Sequence, residues 1–178
     1  MFKKHSDKIE SIVFSNNGRY LVSASHDRSV RIWNVRDRST KVIPVIWGTS
    51  CFFSVVFSPD GRYIAGGNFD KSLWIWDSRK YTLVAKWLGH RDSVRRIEFS
   101  PDGKSLISGS DDGTVKCWDM TSLGTGLEPR SFREFRAASK YTVRFIWFPF
   151  NHILTEIAAR SFCCVLPCQQ PVDYHQFR

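Results

Sequence analysis

The chain has 178 residues, 42% hydrophobic and 15% aromatic, and a formal charge of +9. This length holds one ordinary domain, and its apolar content excludes a chain disordered throughout. No apolar run nears the roughly 18–20 residues of a membrane span, and the opening MFKKHSDKIE lacks the apolar segment of a secretory signal.

Lys and Arg are spread through every segment, densest at Arg28–Lys41 and Arg130–Arg144. This pattern reads as a general basic surface before it reads as a nucleic-acid site. The five cysteines, at 51, 117, 163, 164 and 168, form no CxxC and no disulfide framework, which points to a reducing, intracellular compartment. Cys163, Cys164 and Cys168 with His152 and His175 fit no ordinary zinc spacing. No metal or other cofactor is expected.

Taken in chain order, the elements repeat. The first apolar run, Ile9–Phe14, ends in Phe-Ser and meets a turn at Asn16-Asn17-Gly18. Asn-Gly and Asp-Gly are strong hairpin signals because glycine tolerates the positive φ of the turn. A strand follows at Arg19–Ala24, then a turn on Asp27, a strand into Trp33 and a fourth strand at Val42–Ile46. The second unit repeats this order. It has Phe52–Phe57, the turn Pro59-Asp60-Gly61, Arg62–Gly66, a turn on Asp70, a strand into Trp76, and Tyr81–Trp87. The third has Val94–Phe99, Pro101-Asp102-Gly103, Lys104–Ser108, a turn on Asp112 and a strand into Trp118. The tryptophans lie 43 and 42 residues apart. Four short antiparallel strands closing on Trp at this period predict the blades of a β-propeller.

Met120–Arg130 reads as a long loop. Beyond it Tyr141–Phe148, Ile153–Glu156 and Arg160–Val165 can be laid on the same template, with Pro149 at the turn. Ala137, Thr155, Ala159 and Val165 then fall at positions held elsewhere by His, Ser, Asp and Trp. None of the eleven glycines lies after Gly126, which suits a hairpin-rich blade poorly. Two readings stay open: a degenerate fourth blade, or a tail in which the repeat was lost through a shifted frame or retained intron. The expected fold is all-β, an incomplete propeller with three clear blades and one degenerate one in an open arc. The expected segments are 1–126 (blades 5–45, 46–88 and 89–126), 127–168 for the degenerate blade or tail, and a frayed 169–178.

Within each unit the spacing carries a polar set. His5 and His90 precede their tryptophans by 28 residues, Ser23 and Ser108 by 10, Asp27 and Asp112 by 6. An indole N–H can donate to the Ser hydroxyl, the hydroxyl to one imidazole nitrogen, and the other nitrogen to the Asp carboxylate. The set could be mistaken for a hydrolase triad. A nucleophile needs exposure, an oxyanion hole and a single site, whereas this set is duplicated and tied to Trp. The second unit keeps Asp70 and Trp76 but has Gly48 and Gly66 at the His and Ser positions, so a looser blade is expected there.

Gly89-His90, the run Val94…Ile97…Phe99-Ser100-Pro101-Asp102-Gly103, and Ser108-Gly109-Ser110-Asp111-Asp112…Trp118-Asp119 resemble the WD-repeat (β-transducin repeat) family. The likeness covers residues 5 to 119. Arg62–Asp77 (RYIAGGNFDKSLWIWD), with no Gly-His before it, looks like the fungal Tup-type corepressors related to Groucho. The resemblance implies that His5, Ser23, Asp27, Trp33, Asp70, Trp76, His90, Ser108, Asp112 and Trp118 belong to structural hydrogen-bonded tetrads. It implies a partner-binding top face at Lys8, Glu10 and His26, at Cys51, Phe53 and Phe69, and at Ser93, Arg95 and Asp111, with Phe53 and Phe69 as exposed aromatic hot spots.

The function implied is non-enzymatic: a scaffold for protein partners, in the corepressor likeness a nuclear one acting in transcription, otherwise cytoplasmic. A basic nucleic-acid- or chromatin-binding surface and an inactive gene fragment are the alternatives. Direct nucleic-acid contact is not favoured, and no membrane contact is expected. Members of the family close rings of about seven blades. The chain is therefore expected to be a truncated member whose open edges invite edge-to-edge self-association.

Overall fold

The computed structural model describes residues 5–36, 43–124, 131–136, 143–148, 152–157 and 163–167. Among them every regular element is a strand. β1 (Ile9–Phe14), β2 (Tyr20–Ser25), β3 (Ser29–Asn34) and β4 (Ile43–Trp47) form the first sheet, each strand antiparallel to the one before. β5 (Phe52–Phe57), β6 (Tyr63–Asn68), β7 (Leu73–Asp77) and β8 (Leu83–Trp87) form the second. β9 (Val94–Phe99), β10 (Ser105–Ser110), β11 (Thr114–Asp119) and β12 (Ser131–Arg136) form the third. β13 (Val143–Phe148), β14 (His152–Ile157) and β15 (Cys163–Pro167) make a sheet of three, described as backbone. The leading strands β1, β5, β9 and β13 lie side by side in that order, so the sheets fan out as an incomplete, open propeller.

The Phe-Ser-x-Asn/Asp-Gly sequence makes the same turn three times. The Ser15, Ser58 and Ser100 hydroxyls donate to Asn17, Asp60 and Asp102 at 2.6–2.8 Å. The same acceptor oxygens take the N–H of Arg19, Arg62 and Lys104. The turn puts Gly18, Gly61 and Gly103 at φ 63°, 70° and 71°, where a side chain is strained.

Two departures from expectation concern the strands. Tyr81 is not part of β8: it sits at φ 57° in the turn before Leu83. Ser131–Arg136, expected after the third blade, pairs with β11 and completes that blade, so the third sheet reaches past residue 126. Ala137, Pro149, Ala159 and 169–178 lie outside the described residues. In the last sheet Ile153 pairs with Leu166, as Leu106 pairs with Trp118. With Thr155 laid on the Ser position, this register sets Leu166 rather than Val165 where the closing Trp stands elsewhere.

The second and third sheets turn their Trp-bearing faces toward the sheet before them. Val22, Ala24 and Ile32 of the first sheet meet Phe52, Val55 and Trp76 of the second. Ala65, Leu73 and Ile75 of the second meet Ile97, Leu106 and Trp118 of the third. The Ser11 hydroxyl accepts the Val55 N–H, and that of Ser54 accepts the Ile97 N–H, both at 3.3 Å, so neighbouring leading strands are also stitched. At Gly67 an added Cβ would lie 2.9 Å from the Val94 carbonyl oxygen, so only glycine allows the second and third sheets to come this close.

Candidate functional site

The first and third blades carry the same buried chain. Trp33 Nε1–H donates to Ser23 Oγ at 2.9 Å, Ser23 Oγ to His5 Nε2 at 2.6 Å, and His5 Nδ1–H to Asp27 Oδ2 at 2.8 Å. In the third blade the Trp118, Ser108, His90 and Asp112 distances are 2.8, 2.6 and 3.0 Å. The chain fixes the tautomer, with the proton on Nδ1. Asp27 also takes the Ser6 N–H, and Asp112 that of Arg91, which binds the entry loop of the blade to the turn between its second and third strands. Ser108 is fully buried with its hydroxyl committed between indole and imidazole, so it cannot serve as a nucleophile.

A further member escaped the sequence reading. The Ser29 and Thr114 hydroxyls each donate to the free oxygen of the turn Asp at 2.6 Å. The signal was present as Asp-x-Ser/Thr at 27–29, 70–72 and 112–114. Burial alone would raise Asp27, but hydrogen bonds from Ser29, His5 and two backbone N–H groups hold it at about 2. Asp112 is driven well below the carboxylate range by the equivalent bonds. Burial pulls His90 below its ordinary value, with Asp112 opposing.

A pH dependence follows from His90. The unfolded chain binds a proton at this histidine before the folded chain does, so stability is present above about pH 6.5 and is lost as pH falls below it. His90→Ala leaves Ser108 and Asp112 without their partner and should cost about 1–3 kcal/mol at pH 7.5. It should also flatten the fall of the melting temperature between pH 7.5 and 5. Melting curves that match the parent at both pH values would refute this assignment.

The second blade lacks the polar chain and packs an aromatic cluster in its place. The Phe52 ring fills the space of the missing His and Ser side chains: an added Cβ would lie 2.5 Å from its Cζ at Gly48 and 3.1 Å from its Cδ1 at Gly66. Phe52 meets Trp76 edge-on at 5.6 Å and Trp74 at 6.0 Å, while the two indoles stack at 6.0 Å. Phe52 and Trp76 are buried. Asp70 is held by Ser72, Thr49 and Lys86 in place of His, and Ser72 takes the Trp74 Nε1–H at 2.8 Å. Burial opposes these bonds, which nevertheless lower the Asp70 carboxyl.

The top face is the end that carries the turns at Asp27, Asp70 and Asp112. There the N–H groups of His26, Phe69 and Asp111 donate to the carbonyls of Lys8, Cys51 and Ser93, so each blade presents its two loops alike. Lys8 pairs with Glu10 at 2.8 Å, and His26 Nε2 lies 2.7 Å from the same carboxylate without hydrogen-bond alignment. His26 stands edge-on to Phe53 at 5.5 Å, and its carbonyl accepts the Cys51 thiol at 3.3 Å. The Arg95 guanidinium lies over Phe53 at 4.0 Å and pairs with Asp111 at 2.6 Å. Lys8, Glu10, His26, Phe53, Arg95 and Asp111 thus form one line across three blades. Two expectations need correction. Phe53 is buried beneath Arg95 and His26, and Ser93 is buried with its hydroxyl on Asp92; neither is a free contact residue. Phe69, 6.2 Å from Phe53, is the exposed member of that pair, at 53%. Among the described residues no cluster of His, Cys, Asp and Glu could hold a metal ion, and no helix is long and apolar enough to cross a membrane.

The family model described as "WD domain, G-beta repeat" matches residues 1–34, 44–77 and 81–119. Transducin beta-like protein 2 of Mus musculus is 49% identical over 35 residues, which is 20% of this chain and 8% of that protein. The Homo sapiens protein of the same name is 46% identical over the same length. Two solved structures, titled "Structure of U3-55K" and "Crystal structure of RRP9 WD40 repeats", superpose at a TM-score of 0.74 with 23% identity. Each match covers 86% of this chain but only 47% and 46% of theirs, so the chain spans about half the length of these structures.

Proposed function

The chain belongs to the WD domain, G-beta repeat family, and from that membership we propose that it is a non-catalytic scaffold whose top face holds a protein partner. The fold of this family is generally a non-enzymatic scaffold. The observation that carries the reading is Phe69, exposed beside a line of aromatic and charged side chains in mutual contact. Arg95 lies between Phe53 and Asp111, and His26 between Glu10 and Phe53. A partner side chain can cover Phe69 while the flanking charges of both signs select its neighbours. Little ordering is then left to oppose binding. The finer reading, a corepressor-like protein acting on transcription in the nucleus, draws its support from the likeness of Arg62–Asp77 alone.

A photo-crosslinking amino acid placed at Phe69 tests the scaffold. Protein adducts should form there, survive nuclease, and be absent when the same group is placed at Lys104 on the opposite end. Once a partner is in hand, Phe69→Ala should weaken it by roughly 30-fold, the loss of a hot-spot residue. Equal labelling at both positions would remove the top face from consideration, and adducts digested by nuclease would favour a nucleic-acid partner.

A further inference from the structure

The first sheet leaves open the face that the next two sheets bury. Ile12 is 57% exposed, whereas Val55 and Ile97 at the same position are each 1% exposed. Ile9 is 45% exposed against 0% for both Phe52 and Val94. Phe14 is 56% exposed against 5% for Phe99. A contiguous apolar strip of this kind marks an interaction surface.

The repeat shows what fits on it. In the second and third sheets the covering surface is the far face of the preceding sheet, built around the cross-strand pairs Val22–Ile32 and Ala65–Ile75. The third sheet has Ile107–Cys117 at this position, and with Thr155 laid on the Ser108 position the fourth has Leu154 opposite Val165 there. All four pairs are apolar. The last sheet therefore carries, at the matching register positions, the residue types that cover a Trp-bearing face elsewhere in the molecule.

We infer that the open face of the first sheet receives the fourth sheet of a second copy of this chain. Two copies related by a two-fold axis then close one ring. Such a head-to-tail contact closes only when the rotation per copy divides the circle. Four sheets in each of two copies make eight, within the four to eight blades with which propellers close. The pairing buries sheet faces and differs from edge-to-edge strand addition.

Light scattering on the 178-residue chain across a dilution series tests the inference. A discrete species of twice 20.6 kDa is expected. Because each copy carries +9, added salt should tighten the dimer. Ile12→Glu with Phe14→Glu should yield the monomer with its melting transition retained, since both side chains are exposed in the single copy. Should that pair fail to fold, Phe14→Ser carries the same expectation. A wild-type monomer at every concentration, a dimer that survives these substitutions, or a ladder of masses from open chaining would each overturn the closed pair.

Discussion

Phe52→Ala should lower the free energy of unfolding by about 3–5 kcal/mol, the range for removing a buried aromatic ring. The ring is fully buried and touches both Trp74 and Trp76. It also lies in the core shared by the first two sheets, so its loss loosens a blade and the junction between blades together. The surroundings cannot easily collapse into the gap. Gly48 and Gly66 have no side chains to advance, and the Trp76 indole already stands 2.9 Å from where a Gly66 Cβ would be. Against a total stability of typically 5–15 kcal/mol this is a large fraction. Urea titration should show a lower midpoint with an unchanged slope. A midpoint shift no larger than that of an exposed residue such as Val84 would contradict the packing described for the second blade.

The first three units were legible in the sequence because each strand boundary coincides with a local chemical requirement. Gly18, Gly61 and Gly103 mark the turns that need positive φ, and the Asp27, Asp70 and Asp112 turns recur at one distance from Trp. Two other positive-φ sites, Arg28 and Lys71, carry ordinary side chains and left no such mark. β12 was missed because its defining contact is non-local. Its residues Ser131–Arg136 acquire strand geometry from pairing with β11 across a connection containing Gly124, Gly126 and Pro129, and no repeat residue announces it. The candidate surface divides in the same way. The family resemblance, carried over residue by residue, put Lys8, His26, Phe69 and Asp111 on one end of the blades. That Phe53 is covered, however, depends on Arg95 of the next blade and His26 of the previous one. A pattern read within one unit does not contain contacts made between units.

The same reasoning applies to the second blade, where it leads to the second large effect. Read by position, Gly48 and Gly66 are losses. In the folded chain they are the space that Phe52 occupies. Gly48→His alone should therefore destabilise by about 3 kcal/mol, the upper part of the overpacking range, although it restores the family residue. Its Cβ would already lie 2.5 Å from Phe52 Cζ before the imidazole is accommodated. Combined with Phe52→Val and Gly66→Ser, the same substitution should cost less than the three single substitutions add up to. Valine is what the third blade carries at Val94, and its smaller side chain clears the site. Trp76 can then turn its Nε1–H toward the new hydroxyl, and the new imidazole can reach Asp70 as His90 reaches Asp112. The triple variant should be more stable than the sum of its single substitutions by about 1–3 kcal/mol, because the three positions share one cavity. Strict additivity would mean that Phe52 and the two glycines are independent, and the account of an aromatic cluster standing in for a polar tetrad would then be wrong.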